Sequence, residues 1–385
     1  MPIEGTTIAG ASRRTGTTTP REATTAPRET MIPEPGEGLR DRPGAWKGPV
    51  VKGVASRTVL RVTVASAMAA RVTVSLAVGV VASLATSAAA QEGSEPASGS
   101  AGTLRWTATG FSNPESVLED AARGVLYVSN VNGGALDRDG NGFLSRLSPD
   151  GTIEALQFVG AKGGAGPMDA PKGMAMDGPD TLYVADIDRL HRVDLAAGAI
   201  VETFEARGAM LLDDPSVSED GDVYVSDIAG RTIWRLRDGA MELWLEDDAL
   251  MHPNGTRVED GRLLVAGWGR DMRADGTASQ PGHLFTIDLA DKSVDDLGSG
   301  AGIGHLDGVE PDGSGNYLVT DAIAGALYRV HTTGEHDLLL DLDPGSADLE
   351  VTESGRLAII PQAKGNRVDA YDLIGSLAVD ASAER

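Results

Sequence analysis

One block recurs six times after residue 100, and this repetition restricts the fold more than any other feature of the chain. "ESVLEDAARGVLYVSN" (Glu115 to Asn130) is echoed by "KGMAMDGPDTLYVAD" (Lys172 to Asp186) and "DPSVSEDGDVYVSD" (Asp214 to Asp227). "NGTRVEDGRLLVAG" (Asn254 to Gly267), "DGVEPDGSGNYLVTD" (Asp307 to Asp321) and "DLEVTESGRLAIIP" (Asp348 to Pro361) complete the set. Each block holds an alternating segment, an acidic-glycine or similar turn and a β-rich tail, which reads as strand, hairpin turn, strand. A further short strand pattern follows each block, such as "TIWRLRDG" or "ALYRVHTTG", and in most blocks a fourth apolar segment such as "MELWLED". Four antiparallel strands per unit, at a period of roughly 40–55 residues, predict a β-propeller. Six units predict six blades.

The last unit lacks a fourth strand after Leu373, while "TLRWTATG" (Thr103 to Gly110) stands unassigned before the first block. Pairing the two makes the N-terminal strand the outer strand of the last blade and closes the ring. No long segment of helical period appears beyond residue 100. The fold class expected is therefore all-β, with the propeller over residues 103–375 and a tail at 376–385.

Composition agrees. With 41% hydrophobic residues in 385, the chain can build a large core, and 49 Gly with 19 Pro suit a protein made of turns. A net charge of −24 argues against nucleic acid or an anionic membrane as a partner and lowers the cost of holding a cation. The absence of Cys excludes disulfides, zinc-thiolate sites and thiol nucleophiles.

Residues 1–67 are rich in Thr, Arg, Pro and Gly without apolar periodicity, and read as a disordered extension or an over-called start upstream of Met68. Residues 68–90 then read as a signal peptide: Met68 and Arg71 form a short basic head, Val72 to Ala85 the apolar segment, and "SAAAQ" a cleavage site after Ala90. The expectation is a periplasmic or secreted protein with a linker at 91–102. The alternative is a transmembrane anchor, although the apolar run is short and no basic stop-transfer cluster follows it.

In a propeller the innermost strands begin at one end of a central channel, so their first residues converge. These openings give Glu115, Lys172, Asp214, Asn254, Asp307 and Asp348. Asp213 is the alternative to Asp214, which is preferred because it lies as far from its Asp-Gly turn as Asn254 does. Oxygen donors from separate blades suit a hard cation, and Glu115, Asp214, Asn254 and Asp307 are the candidate ligands. The competing reading is that acidic residues simply start strands as turn formers. His252 and His305 each lie two residues before a candidate ligand. In extended backbone they face the same way as it does, available as proton acceptors or substrate contacts. Lys172 either replaces the metal in a salt-bridged, inert channel, or balances part of the negative charge and meets a substrate oxygen. Asp348 is a second candidate substrate contact.

These openings, with "PNG" in one blade and "DG" in the next, resemble the gluconolactonase / senescence marker protein (regucalcin-like) family over roughly residues 104–374. The resemblance implies a six-bladed propeller with one divalent cation, usually Ca²⁺ (Mn²⁺, Mg²⁺ or Zn²⁺ being alternatives), held by a Glu, two Asn and an Asp. By position the Glu falls at Glu115, the second Asn at Asn254 and the Asp at Asp307. The first Asn falls at Asp214, a departure that leaves the substrate class open. The implied chemistry is hydrolysis of a lactone or related ester, with Asp307 as ligand and candidate base and His305 as the second candidate for proton transfer. The alternative is a non-catalytic secreted or periplasmic propeller that binds a small molecule or protein. The expected partner is a small-molecule substrate, and the expected state a monomer.

Two glycine-rich stretches compete for attention. "LDRDGNGFLSRL" (Leu136 to Leu147) looks like a calcium loop, but its twelfth position from Asp137 is Ser148, where a bidentate Glu is needed. It reads as a hairpin between the second and third strands of the first blade, with a weak surface cation site at Asp137, Asp139 and Asn141 left open. "GAKGGAGP" (Gly160 to Pro167) lacks a following helix and reads as a loop.

Overall fold

The computed structural model describes residues 102–373, apart from 162–167, 274, 298–301, 353 and 355. The expected extension, signal peptide and C-terminal tail, the linker up to residue 101, and most of the Gly160–Pro167 loop lie outside the described residues.

Strand β1 (Thr103–Thr109) precedes six blades of four antiparallel strands. Blade 1 is β2 (Pro114–Asp120), β3 (Val125–Asn130), β4 (Phe143–Leu147) and β5 (Ile153–Gly160). Blade 2 is β6 (Pro171–Asp177), β7 (Thr181–Asp186), β8 (Arg189–Asp194) and β9 (Ala199–Glu205). Blade 3 is β10 (Leu212–Val217), β11 (Val223–Asp227), β12 (Thr232–Arg237) and β13 (Ala240–Glu246). Blade 4 is β14 (Pro253–Glu259) and β15 (Arg262–Gly267), then, after a small hairpin of β16 (Gly269–Arg270) and β17 (Gln280–Pro281), β18 (Leu284–Asp288) and β19 (Val294–Asp296). Blade 5 is β20 (Leu306–Pro311), β21 (Tyr317–Asp321), β22 (Ala326–Val330) and β23 (His336–Asp341). Blade 6 is β24 (Glu350–Val351), β25 (Leu357–Gln362) and β26 (Arg367–Asp372), completed by β1. Among the described residues no helix is long and apolar enough to cross a membrane.

The ring closes as the unassigned strand suggested. β1 pairs antiparallel with β26 from Thr103↔Asp372 to Thr109↔Arg367. Thr107 Oγ1 donates to Asp369 (2.7 Å), and Arg105 forms an ion pair with Asp372.

Burial explains the patterns along the chain. The second strand of a blade is covered on both faces by its neighbours, so β3 "VLYVSN" and β11 "VYVSD" are buried at every position. Outer strands such as β5 cover only one face and alternate. The core is accordingly cut into clusters between adjacent blades. Tyr127 and Leu144 of blade 1 pack with Leu182 and Val184 of blade 2, and Val117 and Val128 of blade 1 pack with Ile359 and Val368 of blade 6.

A repeated irregularity marks the inner strands. In blade 1 the register steps from Pro114↔Asn130 to Val117↔Val128, three residues on one strand against two on the other. The same shift separates Pro171 from Met174, Leu212 from Pro215, Pro253 from Thr256 and Leu306 from Val309. Each is a β-bulge, and each leaves one backbone N–H without a ladder partner. In blades 1, 3 and 5 a hydroxyl from the second strand accepts it: Ser129 from Ser116 N, Ser226 from Asp214 N and Thr320 from Gly308 N, all at 2.9 Å. This is the physical role of the Ser or Thr in "YVSN", "YVSD" and "LVTD". The Asp or Asn after it accepts loop amides at the same end, as Asp227 does from Met210 N and Leu211 N (both 2.9 Å).

Close approach between inner strands dictates the glycines of "KGM", "PNG" and "LDG". A Cβ on Gly255 would fall on the Asp307 carbonyl, and one on Gly308 on Asp348 and the Leu349 amide. Gly255→Ala is therefore expected to destabilise the propeller by about 1–3 kcal/mol through overpacking. Urea unfolding followed by circular dichroism checks it; an unchanged midpoint would mean that the strands separate freely.

Candidate functional site

The bulges set which residues face the channel. Counting from the ladder residue that opens each inner strand, the next position carries Glu115, Lys172, Asp213, Asn254 and Asp307 in blades 1 to 5. In blade 6 the bridge Ser346↔Gln362 is the equivalent opening, so the same position holds Ala347. One residue further on, a second ring is made of Ser116, Gly173, Asp214, Gly255, Gly308 and Asp348. The inner strands continue with Arg257, Glu310 and Glu350, which line a cavity of ≈ 340 Å³ together with Asp214 and Asp348.

Two expected placements change as a result. Asp213, not Asp214, reaches the mouth: carboxyl oxygens of Glu115, Asp213 and Asp307 all lie within 4.8 Å of one another. Asp214 points below them and accepts from Thr256 N (2.6 Å). The count from the Asp-Gly turn misleads because the two hairpin loops differ in length. Blade 3 pairs Val217 with Val223, whereas blade 4 pairs Glu259 with Arg262. Asp348 also sits one position deeper than expected, accepting from Ser116 Oγ (2.7 Å) and Leu349 N (2.7 Å).

Asn254 joins the mouth cluster, its Nδ2 donating to Asp307 Oδ1 (3.1 Å) and to the Leu306 carbonyl (3.2 Å). That orientation leaves Asn254 Oδ1 buried without a partner, and Glu115 Oε2 is in the same condition. Buried acceptors without donors are rare in folded proteins, and an oxygen-coordinated cation satisfies them directly. Glu115, Asp213, Asn254 and Asp307 thus fit a hard cation.

The two histidines differ. His305 lies edge-on to Trp268 (centroids 5.9 Å apart), and its Nε2 is buried and unpartnered. His252 is occupied at both nitrogens. Its Nδ1 donates to the Ile228 carbonyl (2.6 Å), so Nε2 is the acceptor for Met272 N–H (3.3 Å). Met251 and His252 are both left-handed (φ 52° and 61°), holding the ring between the loop of blade 3 and the hairpin of blade 4. His252 therefore supports the mouth rather than offering the free proton acceptor expected from sequence.

Lys172 is buried and donates to the carbonyls of Ala135 (3.2 Å) and Ala170 (3.0 Å). The loop at Asp137 is a turn between β3 and β4. Asp137 accepts from Gly134 N (2.7 Å), Asp139 from Asn141 Nδ2 (2.6 Å), and Arg138 pairs with Asp188 (2.8 Å).

Burial dominates the electrostatics. It pushes the Glu115 carboxyl well above its ordinary range, with Asp213, Asp307 and Asp348 adding repulsion and Lys172 opposing. Asp307 is raised well above normal by burial and then by Asp213 and Asp348. Asp213 rises to about 6 through burial, held back by Lys172. Below the mouth, burial lifts Asp348 and Glu310 to about 7, the Ser116 hydroxyl and the Arg257 guanidinium respectively opposing it.

No protein-family profile matches the chain, and no curated protein matches it. Solved structures do. A gluconolactonase from Xanthomonas campestris superposes with a TM-score of 0.50 at 16% identity, covering 71% of this chain and 87% of that one. A putative gluconolactonase superposes with a TM-score of 0.51 at 18% identity, covering 72% and 93%. The fold is a gluconolactonase-like propeller. A streptogramin B lyase also aligns, at a TM-score of 0.49 and 12% identity over 70% of this chain and 98% of that one.

The raised carboxyls predict a pH profile for the cation-free protein. Asp213, Asp348 and Glu310 keep their protons in the folded state up to about 6 to 7, whereas the unfolded chain releases them near 3.8 to 4.5. Their stabilising contribution is complete below the unfolded values and is lost as pH rises through the folded ones. The melting temperature in chelator should therefore fall between about pH 4.5 and pH 7, and a bound divalent cation should flatten the fall. A melting temperature that rises over that window in chelator would contradict this electrostatic picture.

Proposed function

We propose that the protein is a divalent-cation-dependent hydrolase acting on a lactone or related ester at the channel mouth. The observation that carries the proposal is the meeting of three carboxylates beside two buried acceptors, Glu115 Oε2 and Asn254 Oδ1, that no protein donor satisfies. Glu115, Asp213, Asn254 and Asp307 would hold the cation, Ca²⁺ being the first candidate for an all-oxygen set. When bound it would supply Lewis-acid stabilisation of the negative charge that develops on the substrate carbonyl oxygen.

The chain's own residues account for the remainder. The amide of Asn254 fixes one oxygen of Asp307 by hydrogen bonding, which orients this carboxylate toward its neighbours. His305, with Nε2 unpartnered and its ring steadied by Trp268, takes the proton from the attacking water and returns it to the leaving oxygen as the acyl–oxygen bond breaks. Trp268 is itself fixed, its indole N–H donating to the Gly276 carbonyl (2.7 Å), and offers an apolar wall to the substrate. His252 anchors the hairpin that carries Met272. The proposal includes export through the 68–90 segment.

The test is a panel of sugar lactones, aryl esters and phosphotriesters assayed with added Ca²⁺, Mn²⁺ or Zn²⁺ and with chelator. Asp307→Ala and Glu115→Gln are expected to abolish both cation binding and turnover while leaving the far-ultraviolet spectrum unchanged. His305→Ala should lower kcat by about 10²-fold or more with cation affinity intact, whereas His252→Ala should lower the melting temperature. Cation binding without turnover anywhere on the panel would favour the binding-only alternative. Turnover indifferent to chelator and to Asp307→Ala would refute the assignment.

A further inference from the structure

The proposed chemistry leaves one charged residue of the mouth ring without a task. Lys172 stands in blade 2, between the blades of Glu115 and Asp213, and is 4% exposed. An ammonium is seldom so deeply buried. Its hydrogen bonds go to two backbone carbonyls, Ala135 and Ala170, rather than to a ring carboxylate. These contacts tie Nζ to backbone in the β3–β4 loop and just before β6. The field of the ammonium nevertheless reaches the ring carboxylates, opposing the effect of burial on both Glu115 and Asp213.

When ionised around a bound cation, Glu115, Asp213 and Asp307 bring three negative charges to the mouth ring, Asn254 and Ala347 none, and Lys172 one positive charge, so the ring carries −2. Building on the cation reading above, we propose that Lys172 is a valence-determining residue: a fixed counter-charge to Asp213 that matches the mouth to a divalent cation and disfavours a trivalent one. Coulomb repulsion from a fixed ammonium scales with the charge of the ion, so a trivalent ion suffers half as much again as a divalent one at the same point. The ammonium therefore does two things: it loosens the hold of a three-carboxylate set on its ion, and it discriminates by charge. Neither effect requires Lys172 to touch the substrate.

The experiment measures Ca²⁺ and Tb³⁺ affinities by chelator competition on the full chain and on Lys172→Met, Lys172→Arg, Asp213→Asn and the Lys172→Met/Asp213→Asn double variant. Lys172→Met is expected to tighten Ca²⁺ binding about tenfold or more, and Tb³⁺ binding by a larger factor still. Lys172→Arg, which keeps the charge, should stay within about threefold of wild type. Asp213→Asn should weaken both ions, and the double variant should return Ca²⁺ affinity to within about threefold of wild type. The proposal is overturned if Lys172→Met binds neither ion more tightly, or if Lys172→Arg behaves as Lys172→Met does. Wild-type protein that binds neither ion would remove the cation reading and this inference with it. Wild-type protein that binds Ca²⁺, with Lys172→Met unchanged, would remove this inference alone.

Discussion

Six inner strands crowd the axis, and the closeness of each to the next governs the rest of the structure. Where backbone meets backbone, at Gly255 against Asp307 and Gly308 against Asp348, there is no room for a side chain. A bulge at the opening of blades 1 to 5 lets the residue after the ladder position turn into the channel, so donors far apart in sequence meet within a few ångströms. The hydroxyls of Ser129, Ser226 and Thr320 stabilise the bulges by accepting the amides that the ladder releases. Site and fold are thus consequences of one packing constraint.

Where the constraint relaxes, polar side chains enter the second ring. Ser116 and Asp214 occupy positions that are glycine in blades 2, 4 and 5, and each points down the channel, Ser116 to Asp348 and Asp214 to the Thr256 amide. The result is a column of carboxylates, from Glu115 at the mouth to Glu310 and Glu350 in the cavity, with Lys172 and Arg257 as basic residues along it. Only the Arg257–Glu310 contact (3.1 Å) is an ion pair between these cations and that column among the described residues. Burial without enough counter-charge raises the carboxyl pKa values.

The propeller was legible because its blades repeat at a constant spacing and end in the same Tyr-Val-Ser-Asp type of tail. Glu115, Asn254 and Asp307 were legible because they stand in that repeat at the same step. Asp213 was obscured because the hairpin of blade 3 has a longer loop than that of blade 4, so a count from the turn slips by one residue. A count from the opening was available: Pro171, Pro253 and Leu306 are each followed by the mouth residue and then Gly, and Leu212 is followed by Asp213 and then Asp214. Asp348 was misplaced because blade 6 puts Ala347 where the other blades put a polar residue. Neither the occupation of both His252 nitrogens by backbone nor the depth of Glu310 and Glu350 follows from sequence spacing, since both depend on where the bulge sets the phase.

The pairing of β1 with β26 has a consequence for the order of events as the chain is made. Arg105 and Asp372, which lie 267 positions apart, form one of the contacts that join the first strand to the last. The outer strand of blade 6 therefore emerges first from the ribosome and waits, unpartnered, for nearly the whole propeller to follow. Local hairpins can form along the way, but the ring is topologically unfinished until its final strand exists. Such a chain stays open during synthesis by its own connectivity, and the first strand made is the last to find its partner.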